Sequence, residues 1–322
     1  MRQRPTAVFL DFATVGPDVD VAPLDAVVDL ECYAATSPDA VAERIRDCEV
    51  AIVNKARISR EAIAAASRLK LIALVATGTD NVDIDAAREA GVAVTNIRDY
   101  CNTAVVQHVF ALVLSLTQSL HRYDALVREG AWQRSETFAL FDFPIRELTG
   151  RNLGIIGFGS LGRAVAEFGR CLGMNVLVAA RPGTPTAKVP SGRLALDHVL
   201  RQADVLTLHC PLTEETRNLL NRERFAIMKS DAIVINTARG GLINSRDLVI
   251  ALTEREIAGA GIDVLREEPP SGDDPLLSAN LPNLILTPHI AWATQEARQR
   301  GIDQVAENIA VFLSGRALRR VV

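Results

Sequence analysis

The sequence predicts an α/β protein made of two parallel-sheet domains. Three observations carry this. Short β-rich runs alternate with helical ones through the first hundred residues, and the alternation restarts after an apolar stretch near residue 100. The length of 322 residues also suits two domains at roughly 150 residues each. Strands that alternate with helices form parallel sheets, because the helix is the crossover that returns the chain to the next strand's start.

In the first lobe the β-rich runs are 7–10, 50–53, 71–75 and 92–95, bounded by turn residues, and 39–46, 60–66 and 84–90 have helical spacing. Asn102 then caps a long helix expected to run through Leu120, followed by a loop rich in aromatics (Trp132, Phe138, Phe141, Phe143). Six more strand candidates follow: 152–156, 175–179, 204–208, 232–236, 258–263 and 284–287. Most are separated by helical stretches, among them 161–172 and 245–254. Near-continuous apolar strands such as Leu153–Ile156 suit a parallel sheet buried on both faces. The tail 294–313 reads as one amphipathic helix, with Ile302, Val305, Ile309 and Phe312 on a face and Gly315 past its end. The expected domains are 1–98 together with 291–322, and 99–290. Both are doubly wound and Rossmann-like, the first in a flavodoxin-like arrangement and the second with the six strands of a dinucleotide-binding sheet.

Composition narrows the function class. Hydrophobic residues make up 48%, which is too apolar for disorder. With 35 Lys+Arg against 39 Asp+Glu there is no basic excess, so no nucleic-acid partner is expected. The five cysteines (Cys32, Cys48, Cys101, Cys171, Cys210) form no CxxC pair. That pattern points to free thiols in a reducing, cytoplasmic compartment and to no metal site. Asp11 interrupts the first apolar run too early for a signal peptide. Residues 100–121 lack Asp, Glu, Lys and Arg and are long enough to cross a bilayer. Yet Asn102, Thr103, Gln107, His108, Thr117 and Gln118 lie inside them, so the expectation is a buried helix and no membrane partner.

The first chemical motif is GFGSLG, Gly157 to Gly162. With 20 glycines in the chain, chance supplies ~0.08 such patterns, so context must carry the assignment. Here it follows an apolar strand and opens a helix. Gly157 permits the tight turn, Gly159 lets backbone approach a pyrophosphate, and Gly162 allows close strand–helix packing. An NAD-selective site places a carboxylate at the end of the next strand to hold the ribose hydroxyls. Here that strand ends in Ala180 and Arg181, and no Asp or Glu occurs between Glu167 and Asp197. The missing carboxylate favours NADP(H) over NAD(H), with Arg181 placed to pair with a 2′-phosphate. The alternative is that Arg181 is a solvated cation stacking on adenine.

Three polar residues sit at or just past strand ends on the expected cofactor side: Arg239, Glu268 and His289. In open α/β sheets ligands bind outside the carboxyl ends of strands. Each residue has an ordinary structural explanation, but with a dinucleotide turn upstream those explanations require three coincidences.

At this point the chain resembles a known family. GFGSLG, LHCPLTEETRNLLN (208–221), INTARGGLIN (235–244), GAGIDVLREEPP (259–270) and TPHIAWAT (287–294) are similar, in order and spacing, to the D-isomer-specific 2-hydroxyacid dehydrogenases. ATGTDNVDIDAA (76–87) and NTAVVQHVFALVL (102–114) match as well, and FALFDFPIREL with HIAWAT most resembles the glycerate dehydrogenase/hydroxypyruvate reductase branch. Ala180 departs from the acid that branch often carries. The resemblance implies transfer of hydride between NAD(P)H and a small 2-oxo acid such as hydroxypyruvate or glyoxylate. Arg239 would bind the 2-oxo oxygen and carboxylate, a task suited to its planar fork. His289 would be the proton donor, and Glu268 would orient its ring and stabilise the imidazolium. The backbone N–H groups of Thr77 and Gly78 would hold the substrate carboxylate from the first lobe, with Trp292 narrowing the pocket. Ser160, Leu161, Cys210, Pro211, Thr216, Thr237, Ala238, Asp263 and Ala291 would contact the cofactor, with Thr103 reaching it too. His209 would pack beside the cofactor loop, and His108 is read as structural or as a dimer contact. The resemblance also implies a homodimer built on the cofactor lobe. Rival readings within the family are a phosphoglycerate dehydrogenase or a dinucleotide-sensing corepressor-like protein. A formate dehydrogenase is disfavoured by Glu268.

Overall fold

Strands β1 (Thr6–Phe9), β2 (Asp29–Cys32), β3 (Val50–Val53), β4 (Leu71–Leu74) and β5 (Ala93–Thr95) form one parallel sheet in the order β2-β1-β3-β4-β5. They belong to the first of two units in the computed structural model, which describes residues 4–322; the first three positions of the expected first domain lie outside the described residues. This unit comprises Met1–Cys101 and Ala293–Val322. Its strand order is that of a flavodoxin-like sheet, whose reversal lies between β1 and β3. β3 and β4 are buried at every position, as their unbroken apolar sequences require. β2 went unread in the sequence for a physical reason. Its DLEC sequence carries two acids, which an edge strand tolerates because it pairs on one side only, with β1.

The opposite edge is closed by the C-terminus, where Val94 N–H donates to the Val322 carbonyl and Val321 N–H to that of Val94. The helix Gln295–Leu313 belongs to this unit. Its Thr294 cap accepts from Ala297 N, and it buries Gly301, Ile302, Val305 and Ile309. Phe312 lies only partly buried.

The second unit is Asn102–Trp292. Its sheet has β6 (Asn152–Ile156), β7 (Asn175–Val178), β8 (Val205–Leu208), β9 (Ile233–Asn236), β10 (Gly259–Ile262) and β11 (Leu284–Leu286), in the order β11-β10-β9-β8-β6-β7. All neighbours are parallel. Beyond β7 a single parallel bridge, Ala179 to Leu194, stands where a dinucleotide-binding sheet has its outermost strand. Direction reverses between β6 and β8, so the carboxyl ends of these two strands flank the position where such sheets bind ligands.

The uncharged stretch near residue 100 is shorter as a helix than expected. It runs Asn102–Thr117, burying Val105, Val109, Phe110 and Val113, and stops at Ser119, whose φ of 51° is left-handed. A second helix, Leu120–Arg128, leaves at 57° to the first. Among the described residues no single helix is long and apolar enough to cross a membrane. The aromatic segment that follows is tied by Tyr123 Oη to the Phe143 carbonyl (2.7 Å) and by Trp132 Nε1 to that of Phe138 (2.9 Å). It leaves Phe138 90% and Phe141 82% exposed.

Candidate active site

The glycine-rich turn leaves β6 as its sequence requires. Gly157 has φ +92°, and a Cβ there would lie 2.4–2.5 Å from the backbone of His209 and Cys210 at the end of β8. Gly162, in the first turn of the helix Ser160–Cys171, approaches so closely that a Cβ would sit 2.2 Å from the Gly157 carbonyl. Gly159 is the opposite case, since nothing lies within 4 Å of its missing side chain. Among the described residues the N–H groups of Ser160 and Leu161 have no partner, as expected at a helix start without a side-chain cap. Exposed donors at a helix N-terminus form a ready anion site.

The other residues expected to touch a cofactor lie at or beyond the ends of other strands and in the first turn of the Asn102–Thr117 helix. Cys210 and Thr216 are buried and Pro211 is exposed; Thr216 Oγ1 donates to the Pro211 carbonyl at 2.8 Å and fixes the loop after β8. Burial pushes the Cys210 thiol up to about 11, so it packs as a neutral thiol. His209 Nε2 lies 2.9 Å from Thr207 Oγ1, and its buried Nδ1 has no partner among the described residues. Desolvation pulls this imidazole down to about 4. Thr237, just past β9, is buried, and its Oγ1 has no partner among the described residues. Exposed donors, an open glycine and a buried hydroxyl without a partner, all at carboxyl strand ends, fit a nicotinamide dinucleotide. Ala180 is buried and Arg181 exposed past β7, and Arg193 stacks on Phe158 of the turn with 4.7 Å to the ring centroid. Thr103 is exposed in the first turn of the Asn102–Thr117 helix.

The three polar residues come from three neighbouring strand ends. Asn236, fully buried in β9, accepts from Ala238 N (3.0 Å) and donates through Nδ2 to the Arg239 carbonyl (2.9 Å), shaping the turn that carries Arg239. Arg239 donates from its guanidinium to the Ala238 carbonyl at 2.8 Å. The next residue, Gly240, lies so close to the chain after β10 that a Cβ would meet the Leu265 carbonyl carbon at 2.0 Å. The Arg239 turn is thereby seated on the turn leading to Glu268. Glu268 accepts from Leu265 N through Oε1 (2.8 Å), while its Oε2 is 2.5 Å from His289 Nδ1. This leaves His289 Nε2 without a partner among the described residues, on a side chain 24% exposed.

His289 has φ +54°, a left-handed conformation costly for a residue with a side chain. The surroundings enforce it. Its N–H donates to the Asp263 and Thr287 carbonyls (2.7 and 3.0 Å), and its carbonyl accepts from Trp292 Nε1 (2.9 Å). Asp263, 1% exposed at the end of β10, accepts from Thr287 Oγ1 (2.5 Å), Ile290 N and Ala291 N (2.9 Å each). His108 Nε2 is 3.0 Å from Thr287 Oγ1 and 3.5 Å from Asp263 Oδ1.

Sequence reasoning passed over Asn236 and Thr287. His108, expected to be structural or a dimer contact, lies on the hydrogen-bond network behind His289. The available signal was position: Thr287 lies two residues before the histidine, and His108 is a polar residue in a charge-free helix. In the first unit, Thr77 and Gly78 follow β4. The Thr77 hydroxyl donates to the Ile97 carbonyl at 2.9 Å, and neither backbone N–H has a partner among the described residues. Among the described residues no three His, Cys, Asp or Glu side chains gather as a metal site.

Comparison with known proteins places this geometry in a context. The profile of the D-isomer specific 2-hydroxyacid dehydrogenase NAD binding domain matches residues 110–291. A glycerate dehydrogenase of Methylorubrum extorquens is 42% identical over 285 residues, 88% of this chain and 89% of that protein. A hydroxypyruvate reductase of Blautia hydrogenotrophica is 38% identical over 313 residues, covering 96% and 97%. Among solved structures, the TT0316 protein of Thermus thermophilus superposes with a TM-score of 0.84 at 34% identity, covering 98% of this chain and all of that one.

Proposed function

The chain belongs to the D-isomer specific 2-hydroxyacid dehydrogenase family, and we propose that it reduces a small 2-oxo acid, hydroxypyruvate or glyoxylate, to D-glycerate or glycolate. The observation that carries this reading is the Glu268–His289 pair beside the Arg239 turn. Glycerate dehydrogenase and hydroxypyruvate reductase are the names of the two relatives described above.

The bound nicotinamide supplies the hydride. The chain's own residues supply the rest. Arg239 offers a planar fork to the carboxylate and 2-oxo oxygen, which orients and polarises the carbonyl. His289 holds a proton on Nε2 and delivers it to the carbonyl oxygen, while Glu268 fixes the ring through Nδ1 and stabilises the cation. Thr77 and Gly78 offer two N–H groups to a carboxylate, and Trp292 limits the room for a bulky substrate side chain. Gly157, Gly159, Ser160, Leu161 and Gly162 are assigned to the pyrophosphate. Thr103, Cys210, Pro211, Thr216, Thr237, Ala238, Asp263 and Ala291 are assigned to the rest of the dinucleotide. We assign residues 99–290 to the cofactor domain, and 1–98 with 291–322 to the substrate domain.

The preferred dinucleotide is NADP(H) over NAD(H), supported by a buried methyl at Ala180 in place of an acid and by exposed Arg181. The homodimer is supported by the aromatic segment. Trp132, Phe138, Phe141 and Ile145 are all more than half exposed on the segment after the Leu120–Arg128 helix, apolar surface that a second copy would cover. The five free cysteines support a cytoplasmic location.

A matrix of 2-oxo acids against NADH and NADPH tests the proposal. Fast oxidation with hydroxypyruvate or glyoxylate, and slow oxidation with branched or aromatic acids, is expected. Tight dinucleotide binding without turnover on any acid would refute the enzymatic reading and favour a dinucleotide sensor. Arg181→Ala should weaken NADPH binding about tenfold more than NADH, the worth of one charge-assisted pair. Equal losses would remove the phosphate assignment.

A further inference from the structure

His108 reaches His289 through a chain of donors whose direction is fixed. The Thr287 hydroxyl has one proton, and its 2.5 Å contact with Asp263 Oδ1 uses it, since a carboxylate only accepts. In the 3.0 Å contact between His108 Nε2 and Thr287 Oγ1 the imidazole is therefore the donor, and a proton resides on Nε2. Asp263 receives that hydroxyl and the N–H groups of Ile290 and Ala291, which flank the strained His289 on its C-terminal side. No Lys or Arg among the described residues pairs with this buried carboxylate. The nearest side chain able to carry positive charge is His108, 3.5 Å away. His108 is itself anchored on a helix whose neighbouring side chains, Val105 and Val109, are buried, so it can act as a fixed post.

We propose that His108 is a positioning residue for His289. Its Nε2–H holds Thr287, Thr287 holds Asp263, and Asp263 holds the backbone on which the proton-donating ring is mounted. This rests on the reading of His289 as the proton donor. The role requires a hydrogen-bond donor at the Nε2 position, which a glutamine amide can supply and an aliphatic side chain cannot.

The test uses the full chain with hydroxypyruvate and NAD(P)H. His108→Leu should lower kcat by about five- to tenfold, the worth of one buried hydrogen bond, while KM stays within about twofold because Arg239 is untouched. His108→Gln should restore most of that loss. Because the links are in series, His108→Leu combined with Thr287→Val should be no slower than Thr287→Val alone. Thermal unfolding of each variant checks that it is folded, and His108→Gln keeps the proposal testable should the leucine variant prove unstable. An unchanged kcat in His108→Leu, a glutamine variant as impaired as the leucine one, or multiplicative losses in the double variant would overturn the proposal. His289→Gln separates the two readings. If it leaves turnover intact, the proton-donor assignment itself fails; if it abolishes turnover while His108→Leu does not slow it, only the positioning role fails.

Discussion

Two regions at the carboxyl edge of the second unit's sheet are built on opposite principles. At Gly157–Gly162 the backbone is held open: among the described residues the Ser160 and Leu161 N–H groups lack partners, and nothing but Gly159's own chain neighbours lies within 4 Å of where its side chain would be. At Thr287–Ala291 the backbone donors are taken: His289 N by two carbonyls, Ile290 N and Ala291 N by Asp263. The contrast follows from the chemistry asked of each. An anion-binding turn must keep donors available for its ligand. A residue that moves a proton must be held to within a fraction of an ångström, and here the restraints hold His289 in a conformation that residues with a side chain seldom adopt.

The sharpest way to break this contrast is to remove the acid and leave its mount. His289→Gln should cut kcat by ~10²–10⁴ while dinucleotide affinity, a property of the open turn, stays unchanged. Turnover at the wild-type rate would dissolve the distinction. Acid pH should weaken the floor of the open turn and spare its mouth. His209 lies directly beneath Gly157, and burial lowers its imidazole from 6.5 to about 4. The unfolded chain therefore binds this proton first. Stability is intact above pH 6.5, falls as pH drops towards 4 and levels off below, by up to ~3 kcal/mol. Denaturant titrations of His209→Leu should lack this component; an identical pH slope in both proteins would contradict it.

Smaller effects sharpen the comparison. Asp263→Asn presents an amide where a backbone donor needs an acceptor, at a cost of ~1–3 kcal/mol. Faster hydrogen exchange at Ile290 and Ala291, with little change at Ser160, is the expected signature. Gly159→Ala should be smallest of all. With nothing near its side chain, unfolding temperature should hold, and only dinucleotide affinity should drop, by about tenfold or less. A destabilised Gly159→Ala protein would show that the turn is packed rather than open.

These regions were also unequally legible in the sequence. The open turn and the strands around it could be read, because glycine spacing and apolar runs such as Leu153–Ile156 are local signals. Arg239, Glu268 and His289 could be named from strand-end positions together with motifs that resemble a family. Their supports could not. Asn236, Thr287 and His108 act through contacts between positions as far apart as 179 residues, and no local pattern encodes such a pairing. The edge strand β2 was hidden by Asp29 and Glu31, and the break at Ser119 by an uncharged run that passes through it to His121.

The central claim is that His289 Nε2, freed by Glu268 on the other ring nitrogen, faces the carbonyl oxygen of a 2-oxo acid whose carboxylate lies on Arg239. A crystal structure of the protein with NAD(P)H and oxamate tests it directly. The account predicts the oxamate carbonyl oxygen within hydrogen-bond distance of His289 Nε2 and its carboxylate on the Arg239 guanidinium. An oxamate bound away from both side chains, or a His289 ring turned from the ligand with Glu268 unpaired, would contradict it.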